Sequence, residues 1–222
     1  MHNRYYEQDK LSRGVAAGRH REIIGGLWEE VGALQLEFLK SRGMKPAHKL
    51  LDIGCGSLRL GVGAIAYLEP GHYYGTDLRR ELMDAGYEKE LTPLGLEAKL
   101  PRENLVEDAS FDFPGIPEDI DFAIAQSVFT HLPLNYMRRC IANIRRFPRL
   151  KEFCFTVFLV PSAEDLAADA TQWDGIVTHD CSDPFHVLAQ DIAYFAGQYG
   201  LRSEVFDWNH PRNQQMVVVT YS

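Results

Sequence analysis

The stretch LLDIGCGSLRLG, residues 50–61, sets one acid and three glycines around a cysteine and an arginine. Gly54 and Gly56 have no Cβ, so a ligand can come close to the backbone of the turn they form. In a strand-to-helix turn of this kind the ligand lies beyond the carboxyl end of the strand. The spacing does not suit a dinucleotide, because Arg59 stands where that fingerprint needs its third glycine. Nor does SLRLG after Gly56 supply the GK[ST] ending of a phosphate-cradling loop. Asp52, two positions before Gly54, would repel a pyrophosphate and suits a cationic ligand. Farther on, YYGTD ends on Asp77, an acid suited to accept both hydroxyls of a ribose. Candidate proton acceptors are His131, His179 and His186, since imidazole takes up a proton near neutral pH. Cys55, Cys140, Cys154 and Cys181 are too widely separated for a zinc site, and Cys55 reads as a packing residue between its two glycines.

These residues need elements to hold them, and the chain alternates strand with helix. Residues 21–43 place Ile24, Leu27, Val31, Leu34 and Phe38 on one helical face, closed by Gly43 and Pro46. KLLDIG reads as a buried strand, LRLGVGAIAYLE as a helix, HYYGTDL as a second strand and residues 79–91 as a polar helix. ENLVED and IDFAIAQSVF make strands three and four. LNYMRRCIANIRRF is an amphipathic helix with an arginine-rich outer side, and KEFCFTVFLVP a long fifth strand. LRSEVFDW and QQMVVVTYS, parted by the turn-forming NHPRN, close the chain as a hairpin. The expected fold class is α/β: a doubly wound, mostly parallel seven-stranded sheet with a C-terminal antiparallel hairpin, plus N-terminal cap helices. Residues 1–48 are expected to form a helical cap on a domain of residues 49–222.

Composition excludes several classes. With 222 residues, 45% apolar and 24% charged, the chain is neither disordered nor fibrous. No run approaches a membrane span and the N-terminus is polar, so a cytoplasmic protein without membrane attachment is expected. Residues 1–49 carry 9 Lys and Arg against 6 Asp and Glu, and the remainder 14 against 25. That acidic body argues against nucleic acid as a partner. A monomer or homodimer is expected.

LLDIGCG resembles the first motif of the class I S-adenosylmethionine-dependent methyltransferases: a strand, an acid, then GxG. Asp77 fits that family's second-strand acid. VEDAS resembles the third-strand signature, in which Asp108 would bind the adenine amino group and the Ala109 amide a ring nitrogen. IDFAIAQSVFTHL resembles the fourth, with Gln126 and Ser127 beside the cofactor. The matches run in order through residues 50–160, and the closing hairpin over 201–222 is typical of the fold. The resemblance implies S-adenosyl-L-methionine as cofactor and S-adenosyl-L-homocysteine as product. It implies contacts from Asp52, Gly54, Cys55, Gly56, Ser57, Asp77, Leu78, Asp108, Ala109, Gln126 and Ser127. One departure is Leu58, where many members have glycine, so the turn is expected to differ locally at Ser57 and Arg59.

AQSVF lacks the Asn/Asp-Pro-Pro-aromatic stretch of amino-methylating nucleic-acid and glutamine enzymes, the nucleophilic cysteine of pyrimidine C5 enzymes and the clustered acids of metal-dependent catechol enzymes. A small-molecule enzyme without a metal is what remains, with a hydroxyl as the favoured acceptor and a saccharide or other polyol as the favoured class. Methyl transfer is an in-line displacement, so the protein chiefly aligns and desolvates its reactants, and a hydroxyl acceptor adds the need for a base. His131, opening the turn after strand four, is the expected base. Tyr5 and Tyr6 are candidates to close over the site, and Arg13 has no assigned role. The competing readings are an NAD(P)-dependent oxidoreductase of Rossmann type, which the missing third glycine and Tyr-x-x-x-Lys pair disfavour, and a non-catalytic cofactor-binding protein.

Overall fold

Strands buried on both faces draw on apolar sequence: β4 (Phe122–Ala125) is apolar throughout, and β1 (Leu50–Ile53) is buried at every position with Asp52 as its one polar residue. A computed structural model describes residues 8–222, and their side chains from Ser12 onward. Tyr5 and Tyr6 lie outside the described residues. The chain divides into two compact units.

The first unit runs to Ala109 and includes Phe113–Pro117. It holds α1 (Gln8–Ala16), α2 (His20–Ile23), α3 (Trp28–Ser41), β1, α4 (Arg59–Tyr67), β2 (Tyr73–Asp77), α5 (Arg80–Gly86) and β3 (Leu105–Glu107). Its strands are parallel in the order β3-β2-β1, with Leu50 opposite Tyr73 and Gly75 opposite Leu105. Leu51, Ile53, Ile65, Tyr73 and Met83 are among its buried side chains.

The helix expected over residues 21–43 is broken. Gly25, Gly26 and Leu27 all have positive φ, at 99°, 64° and 48°, which no helix accommodates. The break resets the helical phase, so α3 buries Val31, Gln35 and Leu39, while Leu34 and Phe38 are only half-buried. The helix expected over 79–91 is α5 followed by a π-helical turn, Tyr87–Leu91, which buries Glu90.

The second unit comprises residues 110–112 and 118–222. Its strands are β4, β5 (Glu152–Leu159), β9 (Leu201–Phe206) and β10 (Gln215–Tyr221), in the order β4-β5-β10-β9. β4 and β5 are parallel, and β10 is antiparallel to both β5 and β9. The two units thus contribute the seven expected strands, mostly parallel, with the antiparallel hairpin at the C-terminus. Between β5 and the hairpin the chain makes α7 (Ala163–Leu166), a small antiparallel pair of β6 (Ala170–Thr171) with β7 (Val177–Thr178), β8 (His186–Val187) and α8 (Ala189–Gln198). β8 extends the sheet by pairing in parallel with the end of β5, where Phe158 lies opposite His186. The arginines after α6 (Leu134–Asn143) and on it hold the neighbouring loop: Arg139 binds the Asp112 carboxylate, and Arg146 donates to the Asp112 carbonyl.

Candidate active site

In the first unit the turn leaving β1 is strapped to the end of β2. The amides of Gly54 and Cys55 both donate to the Thr76 carbonyl, at 2.7 and 3.0 Å. The Gly56 amide donates to Oδ2 of Asp77 at 2.8 Å, and the Arg79 amide to its Oδ1 at 2.9 Å. Burial pushes the Asp77 carboxyl up to about 6, against the opposing pull of the Arg79, Gly56 and Leu78 amides. Each carboxylate oxygen offers two acceptor positions, so both retain capacity for a hydroxyl. Asp108, at the end of β3, is next in line: its amide donates to the Asp77 carbonyl, and its Oδ2 accepts the Phe113 amide at 2.8 Å. Ala109 beside it is exposed.

Gly56 has φ 54°, and a Cβ there would lie 2.8 Å from Cγ2 of Ile24. Gly56 is therefore covered by Ile24, in the segment between α2 and α3, and has no space for a side chain, while Gly54 is exposed. Ser57 is buried and its hydroxyl donates to the His20 carbonyl at 3.3 Å. Arg59 donates to the Gly26 carbonyl at 2.9 Å. The structure thus turns both residues toward the N-terminal segment. Leu58, standing where many of the enzymes the motif resembles have glycine, adopts the left-handed conformation with φ 68°. Its side chain is fully buried, and a Cβ on Gly61 or Gly86 would collide with it at 2.8 Å. Burying a leucine contributes about 1.5–3 kcal/mol, which offsets the roughly 1–2 kcal/mol that the left-handed backbone costs.

Asp52 and Cys55 face inward. Asp52 is 3% exposed, and the Tyr73 hydroxyl donates to its Oδ2 at 2.7 Å. Burial raises the Asp52 carboxyl to about 7, with the Tyr73 bond opposing. The Cys55 thiol is pushed well above its ordinary value by burial and packs so tightly on Gly75 that a Cβ there would lie 2.9 Å from its Sγ.

The segment over the turn is anchored by a cluster that sequence reasoning missed. Glu90 on the π-helical turn meets Nε2 of His20 at 2.6 Å and takes two hydrogen bonds from Arg21, at 2.7 and 2.6 Å. Burial alone would raise the Glu90 carboxyl, but Arg21 and His20 outweigh it and hold it below its ordinary value. No periodicity links residues 70 positions apart, so the pattern carries no signal for this cluster.

In the second unit β4 delivers Gln126 and Ser127 at its carboxyl end. Ser127 has φ 56°, and its amide donates to Oγ1 of Thr156 on β5 at 2.8 Å. Oε1 of Gln214 accepts from Thr156, Ser127 and Gln126, at 2.7, 2.9 and 3.0 Å. Gln126 Nε2 also lies 3.2 Å from Nε2 of His210, which stacks on Trp208. Oε1 of Gln126 and Oγ1 of Thr130 are buried without a hydrogen-bond partner, and a buried polar atom of this kind needs one. Thr156 was detectable in advance as a lone hydroxyl in the apolar run EFCFTVFL.

The three candidate histidines separate clearly. His131 Nδ1 lies 2.6 Å from Oδ1 of Asp183. His179 Nδ1 is equally close to Asp169, on the surface. His186 is buried with both nitrogens engaged, Nδ1 by the Thr178 hydroxyl and Nε2 by the Leu166 carbonyl, so it is a structural residue. A cavity of about 690 Å³ opens where β5 ends, lined by Leu159, Val160, Ser162, Leu188, Gln190 and Gln215 among others. None of the expected site residues lines it. Among the described residues no three His, Cys, Asp or Glu side chains gather as metal ligands, and no helix is long and apolar enough to cross a membrane.

Parallel strands, a glycine turn bound to an acid closing the next strand, and a further acid on the strand after it define a Rossmann-like nucleotide-binding architecture. Residues 51–152 match the family model of a methyltransferase domain. Among solved structures, the magnesium protoporphyrin IX methyltransferase of Synechocystis PCC 6803 with bound S-adenosylhomocysteine matches 97% of this chain and 99% of its own. The two are 15% identical, with a TM-score of 0.63. The complex of DhpI with SAM and HEP matches 99% of both chains at 14% identity and a TM-score of 0.61. The glycopeptide N-methyltransferase MtfA with S-adenosyl-L-homocysteine covers 85% of this chain and 86% of its own, at 14% identity and a TM-score of 0.57. The fold is that of the class I methyltransferases, and these solved neighbours hold S-adenosylmethionine or S-adenosylhomocysteine.

Proposed function

We propose that this chain binds S-adenosylmethionine and transfers its methyl group to a hydroxyl of a small molecule, with a saccharide or other polyol as the acceptor class. The observation that carries the reading is the glycine turn bound to Asp77. It supplies two backbone positions without a side chain, the exposed Gly54 and Gly56 beneath Ile24, and a carboxylate with acceptor capacity to spare. The residues present therefore fit the cofactor. Asp77 would take the ribose hydroxyls and Asp108 and the Ala109 amide the adenine, with Gln126 and Ser127 beside the cofactor as the resemblance implies. When bound, the cofactor supplies an electrophilic methyl carbon on a sulfonium. The chain's own part is to orient the acceptor, exclude water and receive the hydroxyl proton, the last assigned to His131. Residues 1–48 serve as the cap on this domain. The solved neighbours named above differ in acceptor, a porphyrin in one and a glycopeptide in another, so the acceptor class rests on the polar aromatic and histidine content of residues 1–48 and 160–200.

Calorimetry on the purified chain tests the cofactor. S-Adenosylmethionine and S-adenosylhomocysteine are expected to bind at micromolar affinity and NADH to give no heat. Micromolar NADH binding with no heat from the sulfonium compound would overturn the reading. The acceptor is tested by methyl transfer from labelled cofactor to a panel of sugars and polyols.

A further inference from the structure

We infer that Asp183 is the positioning residue of His131, fixing the imidazole so that its basic nitrogen is Nε2. The inference rests on the assignment of His131 as proton acceptor in the proposed reaction. The two residues are 52 positions apart and meet at 2.6 Å through Nδ1 and Oδ1. A carboxylate only accepts, so a neutral ring at this distance carries its proton on Nδ1 and its lone pair on Nε2.

Main-chain bonds hold this encounter. The Phe185 amide donates to the Thr130 carbonyl at 2.8 Å, which ties the chain two residues after Asp183 to the residue before His131. The same segment is closed on itself by the His179 amide on the Pro184 carbonyl and the His186 amide on the His179 carbonyl. β8 then locks it onto the end of β5. Exposure separates this pair from the other histidine–aspartate pair of equal length. The His131 and Asp183 side chains are 21% and 18% exposed, whereas Asp169 opposite His179 is 71% exposed. A solvated carboxylate holds its partner weakly, because water competes for it and side-chain entropy opposes the pairing. A partly shielded pair with a main-chain tether keeps its geometry.

The chemistry balances. The acceptor oxygen forms a bond to the methyl carbon as the sulfur–carbon bond breaks, and the sulfur keeps that electron pair and becomes neutral. The hydroxyl proton passes to Nε2 of His131, and the Asp183 carboxylate stabilises the resulting imidazolium.

Nitrogen NMR of the full chain labelled with ¹⁵N-histidine tests the pairing without any acceptor, with the His131 signals assigned by their loss in His131→Gln. At a pH where the ring is neutral, wild type is expected to show a protonated Nδ1 and an unprotonated Nε2. Asp183→Ala should lose that preference, and Asp183→Glu, which keeps the carboxylate, should regain it. A wild-type spectrum with the proton on Nε2 overturns the inference even if no variant folds, and so does an unchanged tautomer in a folded Asp183→Ala. With any sugar or polyol of the panel that is methylated, Asp183→Ala should lower kcat about 10²-fold or more, with KM and cofactor affinity within twofold. Undiminished kcat in Asp183→Ala while His131→Ala is inactive also overturns it. Undiminished kcat in His131→Ala with the tautomer change intact instead fails the catalytic assignment of His131, on which the inference rests.

Discussion

Asp77 is the proposed ribose acceptor, and its loss is expected to weaken the cofactor directly. Losing hydrogen bonds to a charged acceptor costs about 1.5–3 kcal/mol, so Asp77→Ala should weaken S-adenosylmethionine roughly tenfold to a hundredfold in calorimetry. Its carboxyl is raised to about 6 by burial, and the form that accepts two hydroxyls is the anion. Affinity is therefore full above that value and falls as pH drops through it, at most about tenfold per unit for one proton. Titrations between pH 5 and pH 8 should show this slope in wild type and none in Asp77→Asn. His131 is the proposed proton acceptor. His131→Ala should reduce kcat by about 10²- to 10⁴-fold with the cofactor dissociation constant nearly unchanged. A lowered melting temperature with near-normal turnover in the folded fraction would make it a packing residue.

At the scale of elements, the break between α2 and α3 gives the glycine turn its cover. Had residues 21–43 run on as one helix, the carbonyls of Ile24 and Gly26 would have been consumed internally, and Arg59 would have lost these acceptors. The cover depends in turn on Glu90 holding His20 and Arg21. Removing Glu90 strands the buried His20 nitrogen, at a cost of about 1–3 kcal/mol, while Arg21, 47% exposed, turns to water. Glu90→Ala should therefore lower the melting temperature markedly. It should also weaken the cofactor, because Ile24 and the His20 carbonyl lean directly on Gly56 and Ser57. A melting temperature within 2 °C of wild type would show that the cluster does not hold α2.

For the whole molecule, the buried acids set how stability follows pH. The Asp52 carboxyl is raised from 3.8 to about 7, so the folded protein holds this proton more tightly than the unfolded chain. Its contribution is complete below pH 3.8 and is lost as pH rises toward 7, by up to about 1.4 kcal/mol per unit for one group. Asp77 acts in the same direction up to about 6. Glu90 has the opposite sign, since its lowered carboxyl gives stability that disappears only as pH falls below the ordinary carboxylate range. Denaturant melts of the cofactor-free chain should therefore show stability declining from pH 5 to pH 7. Asp52→Asn, which can still accept the Tyr73 hydroxyl, should flatten that decline, and an equally steep profile would exclude Asp52 as its source.

Local pattern was enough to determine the strands, their alternation with helices, the glycine turn and the acids that close β2 and β3. Each of these depends on residues close in sequence: apolar runs for buried strands, missing Cβ atoms for the turn, and strand ends for the acids. The closing hairpin was legible for the same reason, from two β-rich runs around NHPRN. The apolar spacing over 21–43 is helical throughout, and only the consecutive positive φ angles at Gly25, Gly26 and Leu27 interrupt the expected helix. Which way a side chain turns was beyond the pattern. Asp52 and Ser57 lie in the motif, yet Tyr73 takes up one and the His20 carbonyl the other. The partners of Glu90 and His131 are 70 and 52 residues away. Such pairings come from the three-dimensional path of the chain, because burial and a main-chain tether make a distant hydrogen bond worth more than water, and a linear sequence records neither.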